Sequence, residues 1–457
     1  MRTKSTRQMY LNITPPSSSV SKVVREYWRK YARINDVLLA NPELLDFAHL
    51  DFATYLSSSP GGRESTYTSD EILRTLVVFF VEGDAYRDLV VRIENSEFLR
   101  GFVGLGFLKP MMDFSFVAKA FAALSEATWQ KMNTVLARYA TAEGIITAER
   151  LRLDTTAYEA NIHYPTDASL LWDSFRVLTR VLRRLQQEQP RLGLAHRFHD
   201  KKVKKLAFYI ARNAKSTSKR TQRRVKDAYR TLIERVRWIA GVSREIRGKL
   251  VLAFLEAPEL EQYEPIVERI VDQAERRVFG GETVPAQEKV LSLFEDHTEL
   301  LIRGKAGKPV EFGHKVLVAQ TGEKFISHYR VFPQREEDNT MLTESLDAHR
   351  ALFGENPSVL AADKGFYKSV EQLKTLEEEI ETVSICKKGR RTAAETARET
   401  SEEFQDGQRF RAGVEGSISV LKRGFKLGRC LFKGYKHFAS SVGAAVLCHN
   451  LVLLAQE

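Results

Sequence analysis

Between Ser174 and Leu250 the chain carries 23 lysines and arginines against 5 aspartates and glutamates, so this one segment supplies the whole positive excess of a chain whose formal net charge is +11. The remaining residues are net negative. Apolar residues within the segment recur at helical spacing. Val225, Tyr229, Leu232, Ile233 and Val236 share one face, and Trp172, Phe175, Leu178, Leu182 and Leu185 do the same upstream. The segment therefore reads as a helical hairpin or small bundle with a basic surface, not as a loose basic tail. Exposed helical faces usually balance Lys with Glu one turn away, and acids are nearly absent here. Nucleic-acid contact through Lys201, Lys202, Lys204, Lys205, Arg223 and Arg224 is expected, and binding through phosphates should be strongly salt-sensitive. Trp172 and Trp238 lie on the apolar stripes and read as core.

The rest of the composition narrows the class. A chain of 457 residues holds two to four domains at about 100–200 residues each. With 43% apolar and 28% charged residues it is globular, not disordered. Three cysteines with no CxxC pair argue against a disulfide framework or structural zinc and for a reducing compartment. The N-terminus lacks an apolar stretch of signal-peptide length, and runs such as Val442–Cys448 fall short of the ~20 residues that span a bilayer. A cytoplasmic protein with no membrane partner is expected.

Along the chain, residues 1–65 read as an N-terminal arm with a Pro- and Ser-rich loop and a helix. Residues 66–145 read as short helices joined by tight turns, compatible with a helical DNA-binding domain or with plain helical packing. RLRLDTTAY predicts a strand ending at Asp154. After the basic insertion, taken as 169–285, VEFGHKVLVAQTG and KFISHYRVFP predict a β-hairpin, SVLAAD a buried strand ending at Asp363, and TVSICKK another strand. RRTAAETARETSEEFQDG reads as a mobile connection, and the chain from Phe410 onward as helical with one break. Residues 146–168 and 286–457 together give the order β–β–β–α–β–α–β–α. That order suits a ribonuclease-H-like α/β core with the basic helices inserted after its first strand. A generic α/β domain shows the same order.

Asp154 and Asp363 both sit where apolar runs end, and open α/β sheets place their sites at such strand ends. They become neighbours if their strands, the first and fourth of the core, are adjacent. Gly365 allows a sharp turn beside the second aspartate. Glu415 completes a set of three carboxylates, flanked on one helix face by Arg411 and Lys422. Hard Mg2+ wants oxygen ligands and open positions, and two such ions can activate a water or a 3′-hydroxyl and stabilise the leaving oxygen. The plainer alternatives stand beside this: strand-end aspartates form turns, an Arg/Glu pair at i,i+4 makes a surface ion pair, and Glu402 and Glu403 are rival third carboxylates. His314 reads as a core or surface residue, and Lys315 and Arg303 as residues near a DNA path.

RLDTTAY, ADKGFY and RAGVEGSISVLK together resemble the three acidic motifs of bacterial insertion-sequence DDE transposases. The third motif resembles the type written tyrosine, two residues, arginine, three residues, glutamate, six residues, lysine. Arg411, Glu415 and Lys422 fit that spacing, while Gln408 stands at the tyrosine position, which weakens a phosphate or DNA contact more than the chemistry. The helical N-terminal stretch and the closing VGAAVLCHNLVLLA are similar to the N-terminal domain and the closing helix of these transposases, and the helical insertion after the first aspartate most resembles the ISNCY type. The resemblance implies binding of terminal inverted repeats in double-stranded DNA, nicking at the element ends, and attack of the freed 3′-hydroxyl on target DNA. It implies two Mg2+ ions, with Mn2+ able to substitute, held by Asp154, Asp363 and Glu415. Arg411 and Lys422 would meet phosphates or flanking bases, and the chain would act as a homodimer or larger assembly. A metal-dependent nuclease without strand transfer, a degenerate relative that only binds DNA, and an RNA-binding protein are the rival readings. The last accounts for the basic helices but not for the acidic motifs.

Overall fold

The computed structural model describes residues 2–5, 21–56, 65–106, 108–252, 255–305, 308–334 and 336–456. The Pro- and Ser-rich stretch at 14–21 lies almost wholly outside the described residues, as does the side chain of Arg303. The chain divides into two compact units: Met1–Glu159 with His314–Glu457, and Ala160–Gly313.

The first unit begins with seven helices: α1 (Lys22–Ala40), α2 (Pro42–Tyr55), α3 (Ser69–Glu82), α4 (Tyr86–Glu94), α5 (Glu97–Val103), α6 (Phe114–Ala123) and α7 (Glu126–Ala142). Helix α3 shows how local chemistry sets these boundaries. Thr68 and Glu71 form a reciprocal capping box at its start, and Gly83 ends it with φ 71°. Almost all of α3 is buried, including Arg74, whose guanidinium meets Asp70 at 2.9 Å. Strand β1 (Arg150–Ala160) follows. It does not stop at Asp154 as the sequence suggested. Thr155, Thr156, Ala157 and Tyr158 are all buried and carry the strand on, with Tyr158 packed on Phe438.

The second unit holds α8 (Asp167–Glu188), α9 (Asp200–Asn213), α10 (Lys219–Leu252) and α11 (Pro258–Val278). Leu171, Leu178, Leu182, Leu232, Val236 and Val267 bury one side of each long helix in a shared core. Trp172 and Trp238 pack against it half-buried. Strand β2 (Glu299–Lys305) pairs antiparallel with the first half of β3 (Lys308–Thr321).

The second half of β3 belongs to the first unit and pairs antiparallel with β4 (Ile326–Val331), giving the hairpin read from the sequence. Then come α12 (Met341–Phe353), β5 (Val359–Ala362), α13 (Val370–Glu379), β6 (Thr382–Ser384), α14 (Ala393–Thr400), α15 (Glu402–Gly424), β7 (Arg429–Cys430) and α16 (Tyr435–Leu454). Strand β3 neighbours β1, which neighbours β5 and then β6; β4 lies on the outer side of β3, and β7 pairs with β1. The connection expected to be mobile is helical instead. Thr392 and Glu395 form a capping box for α14, and Lys387–Glu395, Arg391–Glu399 and Arg398–Glu377 ion pairs tie it down. Among the described residues α16 is the one helix long and apolar enough to cross a membrane, and most of it is buried inside the unit. Its apolar residues run well beyond the Val442–Cys448 stretch visible in the sequence.

Candidate active site

Strands β1 and β5 lie side by side and parallel, paired from Arg150 with Val359 to Leu153 with Ala362. Asp154 and Asp363 are the next residue on each chain. They stand at one level of adjacent strands, whose spacing is about 4.8 Å. Each carboxylate accepts a hydrogen bond at 2.7 Å from the backbone N–H that follows it, Thr155 in one case and Lys364 in the other. At Asp363 this is the turn-forming contact of an aspartate just past a strand end, while Asp154 makes it within β1.

Alternate residues of β1 face the same way, and Arg150, Arg152 and Asp154 all reach α15. Arg150 pairs with Asp406 at 2.6 Å. Arg152 donates to the Phe410 carbonyl at 2.8 Å and to Gln320 Oε1, which also accepts from the Ser417 hydroxyl. Arg411 Nη2 lies 3.7 Å from Asp154 Oδ2 and 2.9 Å from Glu415 Oε1. Asp154 and Glu415 thus converge on a single guanidinium. Arg411 is 19% exposed and Glu415 65%, so the third carboxylate stands at the open side of the site. Glu402 and Glu403 occupy the first turn of α15, about 18 Å or more along the axis from Glu415. Lys422 is half-buried two turns beyond Glu415, about 10 Å along the same axis.

Arg152 is the element that seats the helix. It is buried, lies over the Phe410 ring at 4.7 Å, and fills the space that a side chain at Gly413 would need. Burial, with Arg150 nearby, pulls its guanidinium pKa down to about 10. Gln408, the residue at the motif's tyrosine position, donates to the Ser384 carbonyl at 2.7 Å and fastens α15 to β6.

The sequence did not single out Asp338. It sits in a short 3-10 turn and accepts from Lys315 Nζ at 2.8 Å and from the Thr155 hydroxyl at 3.3 Å. Its Oδ2 lies 2.6 Å from the position that a Cβ on Gly365 would take, closer than such a carbon allows. A fourth carboxylate therefore touches the residues just after both aspartates. The run REED offers several acids and nothing in the sequence picks one. Lys315, expected near DNA, is committed to this carboxylate and to the Glu336 carbonyl. His314 is a buried core residue with Nδ1 2.9 Å from the Phe332 carbonyl. Lys201, Lys202, Lys204, Lys205, Arg223 and Arg224 are all exposed on the helical unit.

Among the described residues no three Asp, Glu, His or Cys side chains already form a metal-holding group. The donor set nonetheless fits a hard divalent cation. It consists of carboxylates alone, two at adjacent strand positions and the third sharing a cation with the first.

Comparison with known families now bears on this geometry. Residues 295–451 match the family described as Transposase DDE domain. The match covers about a third of the chain and includes Asp363, Arg411, Glu415 and Lys422, while Asp154 and the basic helices precede it. It supports an insertion-sequence transposase, an enzyme acting on DNA, and the α/β core that such domains share. No curated protein and no solved structure matches the chain.

Proposed function

We propose that the chain is a DDE-type transposase that cleaves DNA at the ends of an insertion sequence and joins the freed ends to target DNA. The observation that carries this reading is the register of β1 and β5. It brings Asp154, outside the matched region, level with Asp363 inside it.

Asp154, Asp363 and Glu415 would hold two divalent ions, Mg2+ with Mn2+ as a substitute, which supply Lewis-acid activation of a water or 3′-hydroxyl and stabilisation of the leaving oxygen. The protein's own groups orient the DNA. Arg411 bridges two of the carboxylates and places a guanidinium charge beside them that a phosphate can meet. Lys422 extends the basic line along α15 toward the strand flanking the cut. Arg152 and Gln408 fix the helix that carries Glu415. The third motif is of the Tyr-Arg-Glu-Lys kind with Gln408 replacing the tyrosine, and the helical insertion favours the ISNCY type. Both element ends must be handled together, so a homodimer or larger complex on DNA in the bacterial cytoplasm belongs to this reading.

The test uses purified full-length protein, Mg2+, and labelled DNA carrying the inverted repeat that flanks the gene, with Asp363→Ala alongside. Joined products that vanish in the variant support strand transfer. Cleavage without joining points to a nuclease, and binding with neither activity to a relative that only grips DNA.

A further inference from the structure

We infer that residues 201–226, the tip of the second unit, are a sequence-independent clamp for the phosphates of duplex DNA, separate from the carboxylate site. The inference rests on the proposed function only for its choice of DNA as partner.

These 26 residues contain eleven lysines and arginines and no acid. All eleven are exposed, and none enters an ion pair among the described residues. Several cations elsewhere on the same unit are paired: Arg237 with Glu275, Arg247 with Glu264, Lys249 with Glu245. An uncompensated charge density of this kind repels itself, and a polyanion relieves the repulsion by releasing its own counterions.

The shape favours a backbone contact over base reading. The cations lie on α9, on the turn that follows it, and on the first two turns of α10. Two helices packed side by side are about 20 Å across, wider than the ~12 Å major groove. The amides that could read adenine are already used. Asn213 Nδ2 donates to the Tyr209 carbonyl at 2.7 Å, and Gln222 Nε2 to the Ser216 carbonyl at 3.2 Å. What remains pointing outward is charge.

The test measures binding of the full chain to short labelled duplexes of unrelated sequence, by fluorescence anisotropy, from about 0.05 to 0.2 M salt. The variants are Lys201→Gln/Lys202→Gln/Lys204→Gln/Lys205→Gln and, separately, Arg223→Gln/Arg224→Gln. Unchanged circular dichroism melts establish that each still folds. The expected result is a drop in the log–log salt slope of about 0.9 for each phosphate contact removed, roughly 3.6 for the quadruple variant if all four lysines bind, and the same loss on every duplex. An unchanged slope, a loss confined to one sequence, or binding to phosphatidylserine vesicles with none to duplex DNA overturns the inference. Asp363→Ala separates the two readings. If wild-type protein neither cuts nor joins but the tip variants still lose slope, the enzymatic reading fails and the clamp stands.

Discussion

Asp338 has the most consequential contact that no sequence pattern announced. It is pressed against Gly365 on one side and held by Lys315 and Thr155 on the other. Gly365→Ala should force Asp338 aside and lower DNA cleavage at least tenfold, since displacement of a group near a reacting centre by an ångström is enough for such losses. In an Asp338→Ala background the same change should cost much less, because the obstructing oxygen is gone. A double-mutant cycle in cleavage rate checks the coupling, and additive effects would show that the two residues act separately. His349 governs a different property. It is 1% exposed, its Nε2–H donates to the Ala148 carbonyl at 3.1 Å, and its Nδ1 has no partner among the described residues. Burial, with Arg350 adding, pulls its pKa down to about 4 from the usual 6.5. The unfolded chain then binds more protons than the folded chain between those values. Stability attributable to this residue is whole above pH 6.5 and is lost as pH falls through about 4, by at most about 3 kcal/mol. Urea unfolding at pH 7 and pH 4 should show that loss in the wild type and a smaller one in His349→Gln.

Helix α15 carries the argument at the scale of elements. It lies close over β1 because Gly413 has no side chain to collide with Arg152, and over β6 because Gly407 likewise leaves room for Ser384. Gly413→Ala should cost about 1–3 kcal/mol, the usual penalty of overpacking, and should reduce cleavage by moving Arg411 and Glu415 away from Asp154. Chemical denaturation and single-turnover cleavage measure the two effects. Full activity in the variant would show that the helix is not seated by this contact. The same helix marks where the sequence was readable. The strand end before Asp363 and the pairing of Arg411 with Glu415 on one face of α15 follow from local signals, and the hairpin of β3 and β4 from its alternation, whereas Asp154, read as a strand end, lies inside β1. The stretch from Arg390 to Gly407 was not legible. Its helices α14 and α15 are polar on most faces and are held by long-range ion pairs and by Ser384, whose hydroxyl donates to the Phe404 carbonyl at 2.7 Å. Such partners are invisible to periodicity. The extension of β1 past Asp154 escaped for the same reason, since its support comes from Phe438, nearly three hundred residues away.

At the scale of the whole molecule, two cores matter more than one. The helical unit buries its leucines and valines among residues 168–293, while the sheet, α12 and α13 bury another set around Leu153, Leu360 and Phe366. A chain built this way concentrates its positive charge in one unit and its carboxylates in the other, so under the proposed function the holding and the cutting of DNA would be separable. Separate cores also predict separate unfolding. Leu232 is fully buried in the helical unit, and truncating such a leucine to alanine costs about 2–5 kcal/mol. Differential scanning calorimetry of the full chain should resolve two transitions, and Leu232→Ala should lower only one of them. Leu360→Ala should lower the other. Cleavage by the Leu232→Ala protein, assayed below its lower transition, should then keep its metal dependence while losing its grip on unrelated DNA as that transition is approached. A single transition that both substitutions shift equally would mean that the units unfold as one, and the division of labour between them would have to be sought in their surfaces alone.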